Sequence, residues 1–109
     1  MAMTKIKFSK TQRGFGTGTF TDRYGKQCSI QKSSLASEHC IWLGIDDAEP
    51  KIMVSDAVKL GISNDPNPVG WMSFFIPEEV SLNTRMHLTQ EQVKELLPVL
   101  QRFVETGEI

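Results

Sequence analysis

The sequence lacks most of the features that mark membrane, secreted and metal-binding proteins. Its apolar runs are only a few residues long, whereas a transmembrane helix needs about 20 apolar residues. The segment Met1–Lys7 contains no hydrophobic signal core, so we expect no secretion. Cys28 and Cys40 do not form a Cys-x-x-Cys pair, and adding His39 and His87 does not supply zinc-site spacing. We therefore expect a cytoplasmic protein with reduced thiols, no metal and no cofactor.

The length and composition are those of one ordinary globular domain. The chain has 109 residues, of which 39% are hydrophobic and 23% are charged. A chain of this size can bury a core without disulfides or metals. It contains no internal repeat, no low-complexity tract and no linker-like boundary. The sequence therefore predicts a single domain that spans residues 1–109.

The charges are unevenly distributed, although the net charge is only −1. Up to Lys32 there are seven basic residues and one acid, and from Ser33 onward there are five basic residues and twelve acids. The seven are Lys5, Lys7, Lys10, Arg13, Arg23, Lys26 and Lys32. This asymmetry favours an anionic partner for the N-terminal part. The alternative is that the two parts neutralise each other within the fold or across a subunit interface.

Short alternating segments separated by turn residues predict an antiparallel sheet. The clearest is a hairpin in which Thr17–Thr21 and Lys26–Gln31 flank the turn Asp22–Gly25. Asp at the first turn position and Gly where a left-handed residue is needed are typical of such turns. Further predictions are strands at Lys5–Ser9, Cys40–Leu43, Lys51–Val54 and Trp71–Ile76, a helical turn or strand at Ser55–Leu60, and a loop at Ser63–Gly70.

The C-terminal segment predicts a strand that runs directly into a capped amphipathic helix. Thr89 can cap the helix with Gln92 as its reciprocal partner, and Gly107 lies where a left-handed stop is expected. Pro98 is expected to kink or divide the helix. Apolar residues recur at helical spacing at Val93, Leu96, Leu97, Leu100, Phe103 and Val104. Together the elements predict an α+β fold, with a mainly antiparallel sheet of five to seven short strands and one long C-terminal helix packed on one face.

Arg85 and His87 are the best candidates for a binding site. They are two residues apart in a predicted strand, so both side chains point to one face while those of Met86 and Leu88 point to the other. A guanidinium beside an imidazole suits a phosphate or a carboxylate. The alternative is a solvated strand face on which Arg85 forms an ion pair with one of the many acids.

Five further residues are candidates for the same ligand. Lys32, Ser33 and Ser34 offer a lysine and two hydroxyls for contact with an anion, although either serine could instead cap a turn. Trp71 and Tyr24 are candidates for stacking on a base or for an exposed interface.

No motif for catalysis or dinucleotide binding is present. The glycines of Arg13–Gly18 are followed by a hairpin strand and not by a helix, so a phosphate loop is not predicted. Cys28 and His87 lack a third orienting group, which leaves a small hydrolase as a minor alternative. Trp42 is expected mainly in the core. We therefore expect a protein that is not an enzyme.

Four segments, all outside residues 46–68, form a distinctive set, and the similarity that they carry spans nearly the whole chain. They are Phe20-x-Asp22-x-Tyr24-Gly25-x-x-Cys28-Ser-Ile-Gln31-x-Ser33-Ser34, Ile41-Trp-Leu-Gly44, Arg85-Met-His-Leu-Thr89 and Leu97-Pro-Val-Leu-Gln101. In these segments the chain resembles a group of small uncharacterised proteins of phages and prophages. The resemblance implies expression in the host bacterial cytoplasm during infection. It implies no activity and assigns no role to any residue.

The leading hypothesis is a phage-encoded, non-enzymatic binding protein that counters a bacterial defence system. In one mechanism it sequesters a nucleotide signal, and in the other it docks on a defence protein through its basic hairpin. The expected ligand contacts are Arg85, His87, Lys32, Ser33 and Ser34 for phosphates, and Trp71 or Tyr24 for a base. Small size and an open sheet face favour a homo-oligomer. The short apolar runs predict no membrane contact.

The alternative is a nucleic-acid-binding accessory protein of a phage. Its contacts with the nucleic-acid backbone are expected from the basic residues Lys7, Lys10, Arg13, Arg23 and Lys26. Binding of this kind weakens steeply with added salt. The acidic remainder of the chain argues against it, because dedicated nucleic-acid binders are usually basic overall.

Overall fold

The computed structural model describes residues 5–109, which fall into two compact units. The first contains the described residues up to Asp46 together with Thr84–Ile109, and the second contains Asp47–Asn83. The prediction of one domain over residues 1–109 remains a prediction. Most of the segment Met1–Lys7, which was expected to lack a signal peptide, lies outside the described residues.

The predicted fold class is confirmed, since the described chain is α+β with a mainly antiparallel sheet and a C-terminal helix. In chain order the elements are β1 Lys7–Lys10, β2 Gly16–Thr21, β3 Gln27–Lys32, β4 Cys40–Ile45, β5 Lys51–Met53, α1 Val54–Lys59, β6 Trp71–Ser73, β7 Arg85–Thr89 and α2 Gln90–Thr106. Neither helix in this part of the chain has the length and apolar composition that a membrane crossing requires.

The five strands of the first unit form one antiparallel sheet in the order β1-β2-β3-β4-β7. The β2–β3 hairpin closes as predicted. The carboxylate of Asp22 accepts hydrogen bonds from the backbone N–H groups of Tyr24 and Lys26, both at 2.9 Å, and Gly25 adopts a φ of 80°. These contacts give backbone N–H groups of the turn hydrogen-bond acceptors within the turn itself. β4 lies between β3 and β7. The last strand in the chain, β7, is therefore at an edge of this sheet.

The two faces of this sheet differ in chemistry. Residues that pair directly across antiparallel strands share a face. One row on the polar face is Lys7, Thr19, Ser29, Gly44 and Arg85, and the adjacent row on the apolar face is Phe8, Gly18, Ile30, Leu43 and Met86. At the two edges of the apolar row, Phe8 and Met86 are exposed. The apolar face is therefore open at both edges.

The helix α2 begins and ends where the sequence predicts. Thr89 Oγ1 accepts a hydrogen bond from the Gln92 N–H at 3.1 Å, and Gln92 Oε1 accepts one from the Thr89 N–H at 2.9 Å. Gly107 ends the helix with a φ of 77°. Pro98 lies inside the helix without dividing it. Its direct effect is the loss of the N–H that would otherwise bond to the Lys94 carbonyl.

The apolar side of α2 is covered less than the predicted packing on a sheet face would require. No residue of α2 is buried. Thr89 is both the last residue of β7 and the cap of the helix. No loop therefore separates the edge strand from α2. At the start of α2, Val93 and Leu97 line a groove together with Ile41 and Leu88 of the sheet.

The second unit consists of a two-stranded ribbon and a short helix. β5 pairs antiparallel with β6, and α1 follows β5 directly. Val54 and Ala57 of α1 are buried, which gives this unit its small apolar centre. The segment Ser55–Leu60 is mainly helical, and the strand predicted over Trp71–Ile76 ends at Ser73.

Gly44 is required where β4 passes β7. Its φ is 155°, and a Cβ atom there would lie 2.6 Å from the Thr84 carbonyl oxygen and 2.8 Å from the Arg85 Cα. We expect Gly44→Ala to lower the free energy of unfolding by about 2–3 kcal/mol, because backbone atoms would have to shift. Gly16→Ala is the matched control in the same sheet, since open space surrounds its Cβ position. Urea titration measures both variants, and an equal loss in the two would contradict this account.

Burial raises the pKa of the Cys28 and Cys40 thiols. Nearby carboxylates raise it further: Asp22 and Asp46 act on Cys28, and Glu38 acts on Cys40. Both thiols are free. The folded chain thus holds these protons more tightly than the unfolded chain does. The resulting stabilisation is complete below the unfolded thiol pKa of about 8.5 and is lost as the pH rises above it.

We therefore expect the free energy of unfolding to fall as the pH rises above about 8.5. We also expect iodoacetamide to alkylate both thiols at least about tenfold more slowly in the native protein than in urea. Mass spectrometry of the alkylated peptides measures each site separately. Equal rates in native and urea-unfolded protein would show that the thiols are accessible and ordinary.

Candidate functional site

Arg85 and His87 lie on the polar face of the sheet, as predicted, and both contact Trp42. Across β4 and β7, Trp42 pairs with His87, and Gly44 pairs with Arg85. A Cβ atom at Gly44 would come within 3.4 Å of the Arg85 Cγ. The missing side chain therefore leaves room for the arginine stem beside the indole.

The indole of Trp42 holds both residues. The His87 ring stacks on it with 3.8 Å between the ring centroids and 5° between the ring planes. The guanidinium carbon of Arg85 lies 5.5 Å from the centroid of the same indole, within the range of a cation–π contact. Trp42 is half-buried and His87 is exposed. The stack therefore presents an imidazole that is supported on one side by a larger ring.

The guanidinium of Arg85 is bound only by neutral acceptors. Its Nη1 donates to Ser29 Oγ at 3.2 Å and to Gln31 Oε1 at 3.3 Å. The Ser29 hydroxyl donates in turn to Asp46 Oδ1 at 2.7 Å, so this carboxylate acts on Arg85 through a hydroxyl. Within residues 5–109, Arg85 forms no direct ion pair with a carboxylate. The ion pair considered as an alternative is therefore absent from the described chain.

The imidazole of His87 is fixed by a buried serine. Its Nε2 lies 2.9 Å from Ser33 Oγ, and Ser33 is only 3% exposed. The same hydroxyl accepts a hydrogen bond from the Leu35 N–H at 3.3 Å. A serine beside a histidine can form a nucleophile and base pair, but a substrate cannot reach a buried hydroxyl that also closes a backbone turn. We interpret the contact as one that orients the imidazole.

We call Ser29, Gln31, Ser33, Trp42, Arg85 and His87 the Trp42 cluster. Of these residues, the sequence analysis proposed only Ser33, Arg85 and His87 as ligand contacts. The alternation in β3 places Ser29 and Gln31 on one face, which is a usable signal. The position of Trp42 is a correction, because its ring lies on the polar face and supports the site. Its role follows from the pairing of β4 with β7, which no local pattern reveals.

Two of the other predicted ligand residues lie near Ser33 in sequence but outside the cluster. Lys32 precedes Ser33 at the end of β3, so its side chain points to the opposite face. There it lines a groove together with Ile41 and Leu88. Ser34 is exposed and follows Ser33 after the strand has ended.

The two predicted stacking residues, Tyr24 and Trp71, are both exposed. Tyr24 is 86% exposed and lies in the β2–β3 turn, about 20 Å from Ser33 at the other end of β3. Trp71 is 66% exposed and belongs to β6 of the second unit. The placement of Tyr24 does not support a stacking role beside Arg85.

The basic residues of the N-terminal part do not form one patch. Lys7 and Lys10 lie three apart in β1, so they point to opposite faces. Arg13 lies in the β1–β2 turn, whereas Arg23 and Lys26 lie in the β2–β3 turn. These turns are at opposite ends of β2, about 20 Å apart. A continuous basic stripe is therefore absent from this part of the sheet. No group of three or more potential metal ligands occurs in residues 5–109.

Ser33 and Ser34 provide a matched test of the cluster. We expect Ser33→Ala to lower the free energy of unfolding by about 1–2 kcal/mol, because it removes the contacts with His87 and with the Leu35 N–H. Ser34→Ala should stay within about 0.5 kcal/mol of the parent protein, since Ser34 is exposed. Thermal and urea unfolding measure both changes. A neutral Ser33→Ala variant would show that the hydroxyl does not orient His87.

Comparison with known proteins gives no independent guide to function. The Trp42 cluster is therefore the main basis for assigning one. No family model, no curated protein and no solved structure matches the chain.

Proposed function

We propose that the protein is a phage-encoded, non-enzymatic binding protein that sequesters a nucleotide signal of a bacterial defence system in the host cytoplasm. The observation that carries the proposal is the Arg85 guanidinium, which is held in place by neutral groups and has no carboxylate partner in residues 5–109. The phage context rests on the resemblance of the four sequence segments. The choice of ligand rests on the chemistry of the cluster.

The guanidinium retains the capacity to bind a phosphate. Both hydrogen bonds of Arg85 in the described chain come from Nη1. An arginine has five N–H donors, so the three on Nη2 and Nε remain for a ligand. They form the fork that binds two phosphate oxygens at once. Asp46 lowers the local potential through Ser29, but it does not occupy this fork.

The imidazole of His87 supplies a surface for the rest of a nucleotide. One face of its ring is covered by Trp42, and Nε2 is directed to Ser33. The residue is nevertheless exposed, and we assign the ring face turned away from Trp42 to a base or a sugar. A planar group backed by a larger aromatic ring is a suitable stacking platform. The guanidinium and the imidazole, each in contact with Trp42, thus fit a ligand that combines phosphate with a planar base.

The other proposals for partners have weaker support. Docking on a defence protein through the basic hairpin, or gripping a nucleic-acid backbone, requires the basic residues to act together. Arg13 and Arg23 instead lie at opposite ends of β2. A nucleotide signal therefore has the better support. Self-association remains part of the proposal, because exposed apolar residues such as Phe8 and Met86 lie at both edges of the sheet.

The first experiment is native mass spectrometry of the protein purified from phage-infected bacteria at low salt. The proposal predicts protein carrying an extra mass of a few hundred daltons per site, which acid extraction should release as a compound with nucleotide absorbance. A clean mass of the bare protein would contradict it. Pull-down from host lysate, or nucleic-acid binding that collapses with salt, would then favour the other partners.

We expect Arg85→Ala to weaken binding of the released ligand about 10- to 100-fold, because a hydrogen bond to a charged group contributes about 1.5–3 kcal/mol. The free energy of unfolding of the Arg85→Ala variant should fall by about 1 kcal/mol, because Ser29 keeps its hydrogen bond to Asp46. Arg23→Ala is the matched control in an exposed turn. Isothermal titration with the released ligand compares the three proteins. Equal affinity of the parent and Arg85→Ala would exclude Arg85 from the site.

A further inference from the structure

The helix α2 carries an apolar stripe that the described chain leaves open. Leu97, Leu100, Phe103 and Val104 expose 61%, 49%, 55% and 77% of their surface. An isolated helix of this length is marginal in water, and most helices owe their stability to packing of an apolar face. The apolar stripe of α2 therefore needs a packing partner, which residues 5–109 of one chain do not supply.

A groove beside the start of α2 offers a place for part of that partner. It has a volume of about 730 Å³ and is lined by Ile41 and Leu88 of the sheet together with Val93, Lys94 and Leu97 of the helix. The groove is continuous with the exposed stripe, because Leu97 belongs to both. An occupant of the groove would thus lie along α2 as well.

The stripe is complementary to itself when two copies of α2 run antiparallel. Val93, Leu97, Leu100 and Val104 are spaced by four, three and four residues, which is the spacing of a two-helix seam. A two-fold axis between Pro98 and Val99 places Val93 against Val104 of the second copy. The same axis places Leu97 against Leu100, so every large apolar residue of the seam meets another.

The flanking positions agree with the same register. In an antiparallel pair, like flanks of the two helices face each other. On one flank, Leu96 meets Phe103 of the second copy. On the other, Lys94 lies between Gln101 and Glu105 of the second copy, and these two side chains are joined by a hydrogen bond of 3.0 Å. The seam thus has both apolar and charge complementarity.

Pro98 does not interfere with such a pair. It is one residue after Leu97, so it points about 100° away from the seam around the helix. Pro98 also leaves the Lys94 carbonyl without its usual N–H donor. This carbonyl belongs to the backbone, so it does not enter the layer of side chains between the two helices. The proline therefore marks the outer side of the helix near the axis.

We propose that a second copy of this chain covers α2, through an antiparallel pairing of the two helices about an axis between Pro98 and Val99. The inference rests on the self-association included in the proposed function and names its interface. Such a contact is isologous, so it closes after two copies. Ligand binding by Arg85 lies on the polar face of the sheet and can be measured independently.

Sedimentation equilibrium of the full chain tests the pairing. The parent protein should be dimeric or a multiple of a dimer at micromolar concentration. Leu97→Glu with Leu100→Glu should raise the dimer dissociation constant at least about 100-fold, because it places charges in the seam. A monomeric parent protein, or a double variant with parent-like association, would overturn the proposal.

Charge exchange provides a test that leaves the apolar residues intact. Lys94→Glu should weaken the dimer about tenfold, since each interface contains two copies of the pair. Adding Glu105→Lys to Lys94→Glu should restore parent-like association. Arg102→Glu is the control, because Arg102 lies on the opposite side of the helix from the seam. Failure of the double exchange to restore association would exclude the proposed register.

Cross-linking distinguishes antiparallel from parallel pairing. A mixture of Val93→Cys and Val104→Cys proteins should form a mixed disulfide under mild oxidation. Val93→Cys alone should not, because its two copies would be about 16 Å apart. Self-cross-linking of Val93→Cys would overturn the arrangement. If Arg85→Ala loses ligand binding but stays dimeric, the interface remains supported. If Leu97→Glu with Leu100→Glu loses the dimer but still binds the ligand, the ligand site remains supported.

Discussion

The pairing of β4 with β7 is the constraint on which the rest of the structure depends. It places Trp42 against His87 and Gly44 against Arg85. A shift of one residue would move Arg85 and His87 to the apolar face and Met86 to the polar face. Gly44 helps to specify the correct register, because only a residue without a Cβ lets the Thr84 carbonyl approach so closely. Packing and polar chemistry therefore select the same alignment.

The proposed ligand site places two demands on the environment of Arg85. A half-buried guanidinium without a counter-charge loses hydration, which favours a direct carboxylate partner. The indole of Trp42 and two neutral oxygens offset part of that loss, while Asp46 contributes through Ser29. A direct ion pair between Arg85 and a carboxylate would stabilise the unliganded protein more. It would also occupy the guanidinium N–H donors that the proposed ligand needs. The observed arrangement holds the side chain and leaves its charge without a direct counter-ion in residues 5–109.

The sequence predicts those parts of the structure that local rules determine. The Asp22 turn, the Thr89–Gln92 cap and the Gly107 stop each depend on a few neighbouring residues, and each was predicted at its observed place. The shared face of Arg85 and His87 follows in the same way from strand alternation. The position of Trp42 does not, because β4 and β7 are joined through a separate unit, Asp47–Asn83. Lys32 and Ser33 were predicted as contacts of one ligand, although alternation alone places the side chains of neighbouring strand residues on opposite faces.

The short strand β7 connects the two proposed surfaces. Its alternate residues Arg85 and His87 belong to the ligand face, Met86 and Leu88 belong to the apolar face, and its last residue caps α2. An edge strand of five residues has few contacts that hold it in place, so pairing of α2 with a second copy would also hold β7 in its register. If dimerisation pre-organises Arg85 and His87 in this way, ligand binding is tightened by it. Linkage then requires that the ligand strengthen the dimer by the same factor.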